Sequence, residues 1–150
     1  MLIRDYCNMN VICCESDAPI AEVAALMRRH HVGDVVVIGS QQQEQRLPLG
    51  IVTDRDILVE TLALDIEARL FTASDLMSTP LTTVQEDASL AEALAIMRGK
   101  RVRRLPVVNR AGSLFGILSS DDVLNLIASE LSMIAGLVVE QTMTEGRLRK

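Results

Sequence analysis

Two stretches of this chain carry residues that could do chemistry. They are Gly50-Ile51-Val52-Thr53-Asp54-Arg55-Asp56 and Gly116-Ile117-Leu118-Ser119-Ser120-Asp121-Asp122. Each follows a short apolar run, places a hydroxyl at the fourth position and sets a carboxylate three residues later. The spacing reads as a strand entering a helix, with Thr53 and Ser119 at or beside the N-cap. One reading is structural: the hydroxyls cap, and Asp56 and Asp122 complement the helix dipole. The other is functional: a helix start and hydroxyl face a cleft and hold an anion such as phosphate, while the carboxylate accepts hydrogen bonds from ribose hydroxyls. Catalysis is not implied. No Ser or Cys stands in an evident arrangement with His and an acid, and no GxxxxGK loop is present. Asp56 and Asp122 belong to separate units and suit acceptors better than an acid–base pair.

The elements that must position these residues come in duplicate. Sliding the sequence by 70 lays residues 15–38 over 85–108, with identities at Asp17/Asp87, Ala21/Ala91, Glu22/Glu92, Met27/Met97, Arg28/Arg98 and Val37/Val107. Past the central connector the offset falls to 66, bringing Gly50, Ile51, Asp56 and Leu58 onto Gly116, Ile117, Asp122 and Leu124. Each unit reads strand, helix, strand, strand, helix. First strands are expected at Val11–Cys14 and Leu81–Val84, and helices from Ile20 and Leu90, the second opened by a capping box at Ser89-Leu90-Ala91-Glu92. Their core faces read as Ile20, Ala24, Met27 and Leu90, Leu94, Met97. Asp34–Ile38 and Arg104–Val108 are β-branched strands, the latter with Pro106 at its start or facing away from a ladder. Gln41 to Arg46 reads as a mobile polar loop, and Glu60 to Ser74 as a helix continuation that loops back.

Composition narrows the classes. The 150 residues suffice for one domain or two small ones. Tyr6, Phe71 and Phe115 are the only aromatics, which argues against base-stacking platforms, and a net charge of −5 argues against general polyanion binding. Within this acidic chain Arg98, Lys100, Arg101, Arg103 and Arg104 cluster, as a solvated helix end, a phosphate site or, least favoured, a nucleic-acid contact. Cys7, Cys13 and Cys14 make a poor disulfide framework, with one of the adjacent pair facing inward and one outward. With His30 and His31 they match no structural zinc spacing, so no metal is expected. No membrane span or signal peptide is read, and a reducing cytoplasm is expected. Residues 131–150 read as a C-terminal helical tail, weak at Gly136, frayed and basic after Gly146, and apolar enough to want a partner surface.

Asp75-Leu76-Met77, Leu81 to Val84, Asp87 to Met97, Val102 to Val108 and Gly116 to Asp122 together resemble a cystathionine-β-synthase (CBS) domain. Residues 3–63 resemble a first such repeat and 73–130 a second. The resemblance implies an α/β (α+β) fold, two pseudosymmetric repeats, each a small three-stranded sheet with two helices. It also implies clefts for an adenosine-containing ligand (AMP, ADP, ATP or S-adenosylmethionine), with no obligatory cofactor. By position, Thr53 and Ser119 resemble phosphate-contacting hydroxyls, Asp56 and Asp122 ribose-binding carboxylates, and Arg103 and Arg104 phosphate-facing bases. Gly50, Pro106 and Gly116 complete the expected ligand positions. The counterparts of Arg103 and Arg104 are Gly33 and Asp34, so the two clefts should differ, with Arg104 expected to share one with Asp56.

The expected function is therefore regulatory and non-enzymatic: a homodimer that binds an adenosyl ligand and signals to a protein partner. The alternative is a ligand-independent scaffold module.

Overall fold

The computed structural model describes residues 1–39 and 45–148, apart from the side chains at 140 and 142–148. Each repeat builds one three-stranded sheet. In the first, β1 (Cys13–Glu15) runs parallel to β2 (Asp34–Ile38), and β2 runs antiparallel to β3 (Pro48–Thr53). The second orders β4 (Val84–Gln85), β5 (Arg104–Val108) and β6 (Leu114–Ser119) in the same way. Helices α1 (Ile20–His30) and α4 (Leu90–Lys100) link first and second strands, and α2 (Asp54–Glu60) follows β3.

From Val35 onward the middle strand β2 is apolar because both its faces are covered. Val35 and Val37 join Ile20, Val23, Met27 and Cys14 in one core, while Val36 and Ile38 turn to Leu114 and Ile117 of the second repeat. Period-2 alternation therefore sends the adjacent cysteines opposite ways: Cys14 enters the first core and Cys13 packs against the second.

Several expected boundaries shift. The first strands start later than Val11 and Leu81, since pairing begins only at Cys13 and Val84. They also differ in length, and Pro106 accounts for it. In repeat one the Val36 N–H donates to the Ile12 carbonyl at 3.0 Å. Pro106 stands at the equivalent place with no N–H to give, so β4 pairs only with Val107 and Val108. The buried helix faces are Ile20–Val23–Met27 and Ala93–Met97; Ala24 is exposed and Leu94 is largely so. Glu60 to Ser74 does not extend α2. The Thr61 hydroxyl bonds back to the Ile57 carbonyl at 2.6 Å, and two short 3₁₀ turns (Leu62–Leu64, Ala68–Leu70) lead to α3 (Ala73–Leu76). Residues 41–44 of the expected loop lie outside the described residues.

The segments preceding each repeat are exchanged. Residues 72–78 dock on repeat one through Ala73 N–H to Ala18 O (2.8 Å) and Ser78 N–H to Ile51 O (2.9 Å). Residues 2–8 dock on repeat two through Ile3 N–H to Ala88 O (3.0 Å) and Asn8 N–H to Ile117 O (2.9 Å). Residues 1–118 form one compact unit and Ser119–Lys150 another.

That second unit is essentially one helix, α5 (Ser120–Leu148). It passes unbroken through Gly136, so the expected tail is a continuation of the repeat's own helix. Arg149 and Lys150 lie outside the described residues. Ser120–Val139 is long and apolar enough to cross a membrane by length and composition, with a mean hydropathy of 1.7. Asp121, Asp122 and Glu130 interrupt it, so it is not an uninterrupted apolar run in the sequence.

Candidate functional site

Chemistry concentrates in a cleft of about 570 Å³ that takes residues from both repeats. Its first wall is the β3–α2 junction, with Thr53, Asp54, Arg55 and Asp56. Its second is the turn out of α4, with Arg101, Arg103 and Arg104, closed by the strand approach at Ser78 to Thr82.

Thr53 is the N-cap of α2 and forms a full capping box with Asp56. The Asp56 N–H donates to Thr53 Oγ1 at 3.2 Å, while the Thr53 N–H and hydroxyl both donate to Asp56 Oδ2 at 2.8 Å. The structural and functional readings are thus compatible. One carboxylate oxygen holds the cap, and among the described residues no hydrogen bond reaches the other. With seven residues, α2 offers only a small dipole, so the anion-attracting groups of the cleft are its arginines.

Helix α4 ends at Arg101, whose φ of +57° turns the chain sharply, and His31 repeats this at the end of α1 with a φ of +54°. Arg98 and Lys100 stay in the exposed last turn of α4, while Arg101, Arg103 and Arg104 line the cleft. The basic cluster therefore serves both as a solvated helix end and as a cleft wall. Arg104 Nε lies 2.6 Å from Asp34 Oδ1, in a pair that is partly shielded from water. The Asp54 N–H donates to the Gly33 carbonyl at 3.0 Å, holding the starts of β2 and α2 together.

Of the expected ligand positions, Thr53, Asp56, Arg103 and Arg104 line this cleft. Ser119 and Asp122 do not; they form their own box at the start of α5, with Ser119 Oγ donating to Asp122 Oδ2 at 2.6 Å. Gly50, Gly116 and Pro106 are not among the residues that line the cleft. A Cβ on Gly50 would sit 2.8 Å from Met77 Cβ, and one on Gly116 would sit 2.7 Å from Cys7 Sγ and 3.0 Å from the Asn8 carbonyl. Both glycines admit the close approach of the exchanged segments. Pro106 is fully buried in β5. Arg101, read from the sequence only as a member of the basic cluster, and Arg55, given no role there, also line the cleft.

A second hollow of about 490 Å³ is edged by Cys13, Cys14, Glu15, Asp17 and Glu22. Burial pushes the Cys14 thiol up to about 11, helped by neighbouring Cys13 and Glu22, and raises Cys13 despite Arg46. All three cysteines are free. Among the described residues no three His, Cys, Asp or Glu side chains are grouped to hold a metal ion.

The CBS-domain family pattern matches residues 3–62 and 73–129, and the chain belongs to that family as a tandem pair. It is 32% identical to hypoxic response protein 1 of Mycobacterium tuberculosis over 120 residues, covering 80% of each. The crystal structure of hypoxic response protein I with two coordinated zinc ions superposes with a TM-score of 0.71 at 30% identity, over 83% of this chain and 98% of that one. An uncharacterized protein of Methanopyrus kandleri is also 32% identical over 124 residues, 83% of this chain but only 61% of that protein. The CBS domain pair of protein MJ0100, solved with 5′-methylthioadenosine and S-adenosyl-L-methionine, shares the fold with a TM-score of 0.74 at 22% identity, over 87% and 98% of the chains.

Proposed function

We propose that this chain is a non-enzymatic sensor of an anionic adenosine nucleotide, of the AMP, ADP or ATP class. The observation that carries the reading is the composition of the cleft: four arginines against two aspartates, with a hydroxyl and a carboxylate one helical turn apart. Its volume is in the range of small-molecule sites. Arg forks match phosphate oxygens, and the unused Asp56 oxygen suits a ribose hydroxyl. S-adenosylmethionine carries a sulfonium cation and a net positive charge, which four arginines disfavour. The MJ0100 pair supports an adenosyl ligand as a class, and the charge of this cleft selects within it. The zinc of the mycobacterial relative is not carried over, because no donor cluster among the described residues fits it.

The bound nucleotide joins residues of both repeats and so favours one arrangement of them, by its differential affinity alone. A protein partner reads that arrangement, and the chain acts as a homodimer. Its three unpaired thiols suit a reducing, cytoplasmic compartment. One observation favours the scaffold alternative: the Thr53 hydroxyl and Asp56 already satisfy each other.

A thermal-shift series with AMP, ADP, ATP, NAD and S-adenosylmethionine separates the two. A nucleotide at 100 times its dissociation constant adds about 2.7 kcal/mol. Arg103→Ala, which leaves the capping box intact, should remove that gain. No stabilisation by any of the three nucleotides refutes the sensor and leaves the scaffold.

A further inference from the structure

The four arginines of the cleft are not equivalent. Arg104 is already engaged, with Asp34 against its Nε at 2.6 Å. A Cβ built on Gly33 would sit 3.2 Å from Asp54 Oδ2 and 3.5 Å from Arg104 Nη2, so a second carboxylate stands close to the same guanidinium. Arg55 and Arg101 differ. Both are exposed and line the cleft, one from each wall, and among the described residues neither side chain has an ion pair or hydrogen bond. The fold itself gains little from either. Arg55 is the second residue of α2, where a cation opposes the positive end of the helix dipole. Arg101 holds a φ of +57° at the end of α4, a left-handed position where glycine is the usual residue. Arg98 and Lys100 already supply positive charge to that end of the helix. Residues that break local rules without a structural return are expected where function demands them.

The duplication draws the same distinction. At the offset of 66 the counterpart of Arg55 is Asp121, and at the offset of 70 those of Arg101, Arg103 and Arg104 are His31, Gly33 and Asp34. Helix α1 also ends in a left-handed residue, His31 with a φ of +54°, so the turn belongs to the fold and the arginine to this cleft. We infer that Arg55 and Arg101 hold the second and third phosphates of the ligand, so that the cleft selects nucleoside di- and triphosphates over monophosphates. The inference rests on the nucleotide reading above and narrows it to a ligand class. One phosphate at Arg103 and Arg104 leaves two guanidinium forks unanswered, and further phosphates supply the oxygens that match them.

Isothermal titration calorimetry on the full chain tests this with AMP, ADP and ATP, without divalent cations so that each ligand presents its whole charge. The variants are Arg55→Gln, Arg101→Gly and, as a control that removes equal charge away from the cleft, Lys100→Ala. Each exposed arginine contact is worth up to about fivefold, so ATP should bind wild type about 20-fold tighter than AMP, with ADP between them. Arg55→Gln and Arg101→Gly should each lower ATP affinity about fivefold and leave AMP within about twofold. Lys100→Ala should leave the ATP-to-AMP ratio unchanged. Unliganded Arg101→Gly should melt at or above the wild-type Tm, because glycine suits the left-handed turn. AMP bound as tightly as ATP overturns the inference and leaves the nucleotide sensor standing. A uniform loss of all three nucleotides in Arg101→Gly, with a lowered Tm, makes Arg101 structural and overturns it too. So does a loss of ATP affinity in Lys100→Ala as large as that in Arg101→Gly. Failure of all three nucleotides to bind wild type overturns the reading of the cleft itself.

Discussion

Asp34 should act as a built-in competitor for the phosphate. Its carboxylate holds Arg104 at 2.6 Å, and Arg104 lines the cleft. A phosphate on the other side of the guanidinium would stand about 2.8 Å from an Arg nitrogen, placing it about 6–7 Å from the Asp34 charge. At an effective dielectric constant of 20, two unit charges 7 Å apart repel by about 2.4 kcal/mol. The Arg104 side chain is 35% exposed, so solvent screening roughly halves that figure. Asp34→Asn should therefore strengthen AMP binding by about 1 kcal/mol, or about fivefold, and strengthen ATP binding further. Arg104 loses one acceptor in the variant but regains one from the phosphate.

Isothermal titration calorimetry at low and high salt is the assay, run on wild type, Asp34→Asn, Arg104→Ala and the double variant. The gain should shrink as salt rises and vanish without Arg104. S-adenosylmethionine should respond in the opposite sense, because removing an anion disfavours a cation. If Asp34→Asn instead weakens AMP binding as much as Arg104→Ala does, the reasoning is refuted. Asp34 would then be positioning Arg104 rather than competing for it.

Other outcomes follow from the packing. Gly116→Ala forces a methyl group to 3.0 Å from the Asn8 carbonyl and should cost about 1–3 kcal/mol, read by calorimetry as a lower Tm; an unchanged Tm would mean the exchanged segment is not anchored there. Pro106→Val restores an N–H opposite Thr82, so its amide should be protected from hydrogen exchange as that of Val36 is, with net stability within about 1 kcal/mol of wild type. Cys14, raised from 9.0 to about 11 chiefly by burial, stays protonated in the fold after the unfolded thiol has ionised. Its stabilising contribution is complete below pH 9 and should decline between pH 9 and 11, a decline that Cys14→Ala removes from the denaturation midpoint against pH.

How much was legible in the sequence depended on whether a residue's reason was local. The capping boxes at Thr53/Asp56 and Ser89/Glu92 were readable because both partners lie within four residues. The strands Asp34–Ile38 and Arg104–Val108 were readable because burial on both faces demands a continuous apolar run. The close approaches at Gly50 and Gly116 were not readable, because their partners are residues 77 and 7, brought in by an exchange of segments that no local pattern encodes.

The duplication makes this more pointed. Met77 and Cys7 are equivalent positions, as are Gly50 and Gly116, so the same close approach occurs twice and is a property of the fold. At Gly33/Arg103, Asp34/Arg104 and Val36/Pro106 the repeats differ, and two of those three differences place arginines in the cleft. Features common to both halves explain how the chain folds. The departures between them give the proposed nucleotide cleft its positive charge, because they put arginines where the other repeat has Gly33 and Asp34.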